Sequence, residues 1–120
     1  ACGRYMHWRE VDFPAPLDPN FLGVGQCRTN DEGEYRFLTV KPGPYPWENH
    51  YNAWRPAHIH FSLLGPALTT RLVTQMYFPD DPLFEFDPIF QSVPEHARAR
   101  LVSTYDHEVT VPSWALGYRW

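Results

Sequence analysis

The sequence predicts a mainly β protein, with a β-sandwich core, long proline-rich loops and one short helix. Three observations carry that expectation. Thirteen prolines are scattered through 120 residues, and each fixes φ and removes a backbone donor, which disfavours long helices. Several short runs alternate apolar and polar residues with the period of two that marks a half-buried strand. Clusters of Gly, Asn, Asp and Pro punctuate those runs.

Taken in order, "FLGVGQCRTNDEGEYRFLTVKPGPYPW" (21 to 47) has an apolar run, a turn cluster from Asn30 to Gly33 and the alternating "YRFLTV", which predicts a hairpin. "PAHIHFSLL" (56 to 64) and "TRLVTQMYF" (70 to 78), separated by Gly65-Pro66, predict two further strands. In the second, Leu72, Thr74, Met76 and Phe78 share one face, and Val73, Gln75 and Tyr77 the other. "DDPLFEFDPIFQSVP" spaces Asp and Pro too closely for a regular element and reads as a loop whose aromatics pack on the body or on a partner. "PEHARARLVSTY" (94 to 105) is the predicted helix, with Pro94 early and Glu95 in the first turn. "WALGYRW" closes the chain as a strand. There is no internal repeat and no linker, so one domain over residues 1–120 is expected, a segment cut at both ends because Ala1 is not a natural start.

A hydrophobic content of 43% with 17% aromatics excludes a disordered chain, and no apolar run approaches the ~20 residues of a membrane helix. With a net charge of −4 and only 10 Lys and Arg, nucleic acid and anionic membrane are poor partners. Cys2 and Cys27 are too few for a disulfide framework, which points to a reducing cytoplasm.

The chemically suggestive stretch is "WRPAHIHF" (54 to 61). On a strand, His58 and His60 point one way while Ala57, Ile59, Phe61 and Leu63 point the other. Two imidazoles on one face suit a metal ion. They equally suit a half-buried strand with a polar outer face. The glutamate expected of a cupin and the third histidine expected of a carbonic-anhydrase type zinc site are both missing from the sequence that follows.

"GRY" (3 to 5), "APLDPNF" (15 to 21), "KPGPYPW" (41 to 47), "WRPAHIHF" and "LVTQMYF" (72 to 78) together resemble the intradiol aromatic-ring dioxygenases, nearly from end to end. The resemblance implies one non-haem Fe(III) held by Tyr5, Tyr45, His58 and His60. Chemistry is consistent with that set, because ferric iron favours anionic oxygen and two phenolates with a hydroxide balance its charge. The resemblance further implies catalytic roles for Tyr45, for Arg55 beside the substrate ring and for Gln75, with Trp47 and Tyr77 lining the substrate pocket. Trp8, Trp54 and Trp114 are expected to serve packing. The loops "GPYPWENHYNAW" and "APLDPNF" resemble members that act on protocatechuate, implying cleavage of its ring by O2 to 3-carboxy-cis,cis-muconate and a homologous α chain as partner. A catechol or hydroxyquinol dioxygenase, or a non-enzymatic sandwich holding structural zinc, are the alternatives.

Overall fold

The computed structural model of the chain describes residues 18–46, 51, 54–66 and 68–120. Tyr5 and Trp47 lie outside the described residues, as do Cys2 and Trp8. The chain divides into two compact units, Ala1–Gly43 and Pro44–Trp120.

In the first unit the predicted turn forms. Glu34 donates its backbone N–H to the Asn30 side chain at 2.7 Å, Gly33 donates to the Asn30 carbonyl at 3.0 Å, and Gly33 takes a positive φ of 84°. That conformation is open to glycine because it has no Cβ. Residues 21–44 carry no strand assignment, so of the hairpin predicted between 21 and 47 the turn forms, and the strand assigned within that span is Tyr45–Pro46. An exposed Cys27 thiol approaches the Arg36 carbonyl at 3.2 Å across the arms.

The second unit is mainly β. Its strands are β1 (Tyr45–Pro46), β2 (Trp54–Arg55), β3 (His58–Leu63), β4 (Leu72–Tyr77), β5 (Thr104–Tyr105) and β6 (Tyr118–Arg119). They form three two-stranded antiparallel sheets, β1 with β2, β3 with β4, and β5 with β6. The long hairpin follows the predicted alternation. His58 pairs with Tyr77, Ile59 with Met76 and His60 with Gln75, which puts both histidines, Gln75 and Tyr77 on one face. Opposite lies the apolar face, where Ala57, Met76 and Phe78 are buried and Ile59, Phe61 and Tyr118 pack on them. Burying a side chain such as Met76 contributes roughly 1.5–3 kcal/mol.

Three expectations need correction. The stretch read as a loop contains helix α1 (Pro88–Ser92), capped by Asp87, whose side chain accepts from the Ile89 N–H. The predicted helix over 94–105 stops early, as α2 (Glu95–Arg98) and a 3₁₀ turn (Ala99–Leu101), so the described residues of the second unit hold two short α-helices rather than one. Beyond it the chain is drawn into strand-like pairing, since Val102 bridges Tyr77 and Ser103 gives both its N–H and its hydroxyl to the Tyr77 carbonyl, at 2.8 and 2.9 Å. Trp54 and Trp114, expected to pack, are exposed. No helix among the described residues is long and apolar enough to cross a membrane.

Candidate active site

The polar face of β3 and β4 is closed by Arg55. β2 carries Arg55 opposite Tyr45 of β1, and Pro56-Ala57 turn the chain directly into β3, so the arginine and His58 arise three residues apart. Ala57 N–H donates to the Asp81 carboxylate at 3.2 Å and Leu83 N–H to the same carboxylate at 3.0 Å, which ties the loop after β4 against this turn. That loop reverses through Asp80 at a φ of 58°, in the left-handed region that Asp tolerates better than most residues. It then delivers Asp87.

Arg55 is 2% exposed, and every nitrogen of its guanidinium has a partner. Nε donates to Asp87 Oδ1 at 3.1 Å, and Nη2 to Asp87 Oδ2 at 3.0 Å. This two-point fork is the strong, directional form of an arginine ion pair. Nη2 also lies 2.7 Å from Gln75 Oε1 and 3.0 Å from Tyr77 Oη. Nη1 faces the other way, 3.0 Å from His58 Nε2 and 3.5 Å from Tyr45 Oη. Burial alone would lower the arginine's pKa, but the bond to and charge of Asp87 outweigh that, and the net shift is upward. Arg55 is a fixed cation.

His58 is buried, and its Nδ1 sits 2.7 Å from the Pro56 carbonyl. A carbonyl only accepts, so Nδ1 carries the ring proton and Nε2 keeps its lone pair. Burial first, and then the neighbouring Arg55 charge, push the imidazole down to about 4. His58 is therefore neutral at physiological pH. Its ring centroid lies 5.0 Å from that of His60, which is exposed, and 5.5 Å from that of the half-buried Tyr45.

These residues suit a ferric ion. The Nδ1–H to carbonyl bond is the usual device by which a protein orients a metal-binding imidazole, and it leaves the lone pair on Nε2; that lone pair accepts from Arg55 Nη1 at 3.0 Å and would turn to a metal when one is bound. Tyr45 offers a phenol oxygen 3.5 Å from Arg55 Nη1. Among the described residues no group of three or more His, Cys, Asp or Glu could hold a metal, so the donor set there depends on the tyrosine.

Gln75 and Tyr77 support Arg55. The Gln75 amide is oriented because Oε1 takes two donors, Arg55 Nη2 and Tyr77 Oη at 2.9 Å. Tyr77 is 1% exposed, with its ring against Phe84 and Phe90, and burial raises its pKa above the ordinary phenol value. Its hydroxyl serves the network around Arg55.

The sequence reading missed Asp87. It is 0% exposed and lies within hydrogen-bond distance of Arg55, Tyr77 and the Ile89 N–H. A signal was present, since Asp-Pro before an apolar pair is the pattern of an N-cap followed by proline at the first helical position.

The family model described as dioxygenase matches residues 1–120, the whole chain. A protocatechuate 3,4-dioxygenase beta chain of Burkholderia cepacia is 63% identical over 119 residues, covering 98% of this chain and 50% of that protein. The chain belongs to the intradiol dioxygenase family. More distant relatives of this dioxygenase chain include a hydroxyquinol 1,2-dioxygenase of Rhizobium sp. (strain MTP-10005), 32% identical over 62% of the chain and 28% of that protein. A chlorocatechol 1,2-dioxygenase of Rhodococcus opacus is 30% identical over 62% of the chain and 34% of that protein. The dioxygenase chain thus spans half or less of the length of these relatives.

Proposed function

We propose that this intradiol dioxygenase chain carries the metal-binding and catalytic residues for cleaving protocatechuate with O2 to 3-carboxy-cis,cis-muconate. The observation that carries the reading is the meeting of Tyr45, Arg55 and His58, with one arginine nitrogen 3.5 Å from the phenol oxygen and 3.0 Å from the imidazole lone pair. Tyr45, His58 and His60 hold a ferric ion, with Tyr5 assigned as the fourth ligand from the motif "GRY" alone. A ferric ion held there would supply Lewis acidity toward the substrate diol.

The remaining work belongs to the side chains. His58 offers its lone pair without first losing a proton, because its tautomer and neutrality are already set. Tyr45 Oη would be the ligand exchanged for the diol and the acceptor of its proton, with Arg55 Nη1 beside that oxygen at 3.5 Å to stabilise its charge. Once the ring is bound, the same guanidinium stabilises negative charge developing on the ring as oxygen attacks. Because Arg55 is buried and held at every nitrogen, it needs little reorganisation during that step. Gln75 and Tyr77 hold the arginine from the sheet side, and Trp47 is assigned to the pocket wall. The fit to protocatechuate rests on the 63% identity to a chain so named. A beta chain implies an α chain, so the working enzyme is proposed to be an α–β hetero-oligomer in the cytoplasm, where the exposed Cys27 thiol stays reduced.

Oxygen uptake by the iron-loaded protein assembled with its α chain tests this. One O2 consumed per protocatechuate, a visible phenolate-to-iron band that moves in Tyr45→Phe, and slower turnover of catechol are expected. Preference for catechol would transfer the assignment to the sister enzymes. A colourless protein loaded with zinc would overturn it.

A further inference from the structure

Asp87 belongs neither to the ligand set nor to the ring-facing residues, yet it is the most deeply buried acid among those described, at 0% exposed. A buried carboxylate persists only when it is paired and hydrogen-bonded. Here both oxygens are used on the same arginine, Oδ1 by Nε at 3.1 Å and Oδ2 by Nη2 at 3.0 Å. Guanidinium is planar and rigid, so fixing two of its nitrogens fixes the third. The nitrogen left over is Nη1, which faces Tyr45 Oη and His58 Nε2. Asp87 is itself held by Pro88 at the start of α1 and by the Ile89 N–H at 3.2 Å, and α1 is seated by Phe90 against Tyr77 and Phe84.

We propose that Asp87 is the positioning residue for Arg55: it engages Nε and Nη2 so that Nη1 is the edge aimed at the reacting centre. This rests on the function proposed above. Asp87 touches neither substrate nor metal, and acts on the reaction through the arginine alone. Without it Gln75 and Tyr77 still hold Nη2, but Nε loses its acceptor, and the guanidinium plane could turn about the last side-chain bonds and carry Nη1 off its direction. A misplacement of about 1 Å in a charge-stabilising group can cost on the order of 100-fold in rate.

The competing role is purely structural, since Asp87 also caps α1. Two variants separate the roles. Asp87→Asn keeps an oxygen for Nε or the cap but loses the second acceptor, and Asp87→Ser keeps a capping hydroxyl while being too short to reach the guanidinium. The experiment is a kinetic cycle on the iron-loaded α–β enzyme with wild type, Asp87→Asn, Arg55→Gln and the double variant. Asp87→Asn should lower kcat about 100-fold with little change in KM, and the double variant should be no slower than Arg55→Gln. Losses that multiply, or an unchanged kcat, would overturn the proposal.

A second measurement needs no turnover. In the diamagnetic gallium(III)-loaded protein, the Arg55 Nε–H should give an exchange-protected ¹⁵N–¹H signal that Asp87→Ser abolishes while the Ile89 amide stays protected. Loss of both signals together, or no protected signal in wild type, would sink it. Arg55→Lys covers the case in which both Asp87 variants fail to fold. It keeps the cation but not the fork, so it should be as slow as Arg55→Gln, and near-wild-type turnover would refute the aiming role. If wild type itself cleaves no protocatechuate, the proposed function fails while the NMR signals still decide whether Asp87 locks the arginine.

Discussion

His58 does its work through a proton it does not carry. Its Nδ1–H is committed to the Pro56 carbonyl, and burial followed by the Arg55 charge holds its pKa down at about 4. In the unfolded chain an imidazole titrates near ~6.5. Between those values the unfolded state binds the proton and the folded state does not, so stability falls as pH falls. The contribution is complete above about pH 6.5 and lost as pH drops through about 4, at most about 3 kcal/mol. In metal-free protein, the His58 ring proton followed by NMR should titrate near pH 4. The urea midpoint should decline over the same window, less steeply in His58→Gln. A His58 midpoint near 6.5 would contradict the buried, neutral state. Much of this residue was legible, because a His-x-His on a strand already placed both rings on one face. Its tautomer was not, since that depends on how the backbone turns at Pro56.

At the scale of elements, legibility followed the range of the interactions. β3 and β4 alternate over six residues each, and the period of two fixed their faces. β1, β2, β5 and β6 are two residues long, too short for any periodicity, and exist because distant segments pair. α1 was hidden by its flanking prolines, although Asp87-Pro88 supplies its cap and first residue. The arms around Asn30 carry alternation but no strand assignment among the described residues. β5 and β6 are joined by a loop that closes on Gly117. Gly117 N–H donates to Thr110 Oγ1 at 2.9 Å, and its carbonyl accepts from the Asp106 N–H at 2.9 Å. A Cβ at this position would stand 2.6 Å from the Val109 carbonyl carbon and 2.8 Å from Thr110 N, backbone atoms that cannot rotate aside. Gly117→Ala should therefore cost about 1–3 kcal/mol, the usual range for overpacking. It should also loosen β6, which brings Tyr118 onto Phe78 at 5.1 Å between ring centroids. Urea unfolding of the variant checks this, and an unchanged midpoint would mean that the loop yields freely.

For the molecule as a whole, the balance between buried and exposed apolar residues governs behaviour. The buried hydrophobic residues among those described are Ala57, Met76, Tyr77, Phe78 and Phe90, all in the second unit. Against them stand Leu63, Leu64, Leu68, Leu72 and Val73, all exposed; β3–β4 pairing sets Leu63 opposite Leu72 and Val73 opposite Ser62 at the end that leads into the connecting loop. An apolar surface of this kind is characteristic of a protein contact. Burial must offset roughly 1–2 kcal/mol of backbone entropy per ordered residue, so apolar area covered by a partner adds directly to stability. Binding a partner to the folded state adds RT ln(1 + [L]/Kd), about 2.7 kcal/mol when the partner stands at 100 times its Kd. The α chain of the proposed hetero-oligomer should therefore raise the unfolding midpoint of this chain in a concentration-dependent way. Scanning calorimetry across an α-chain titration measures it directly. A midpoint that stays fixed while iron still binds would show that the ligand residues are held without that partner, and would remove the α chain from the proposed assembly.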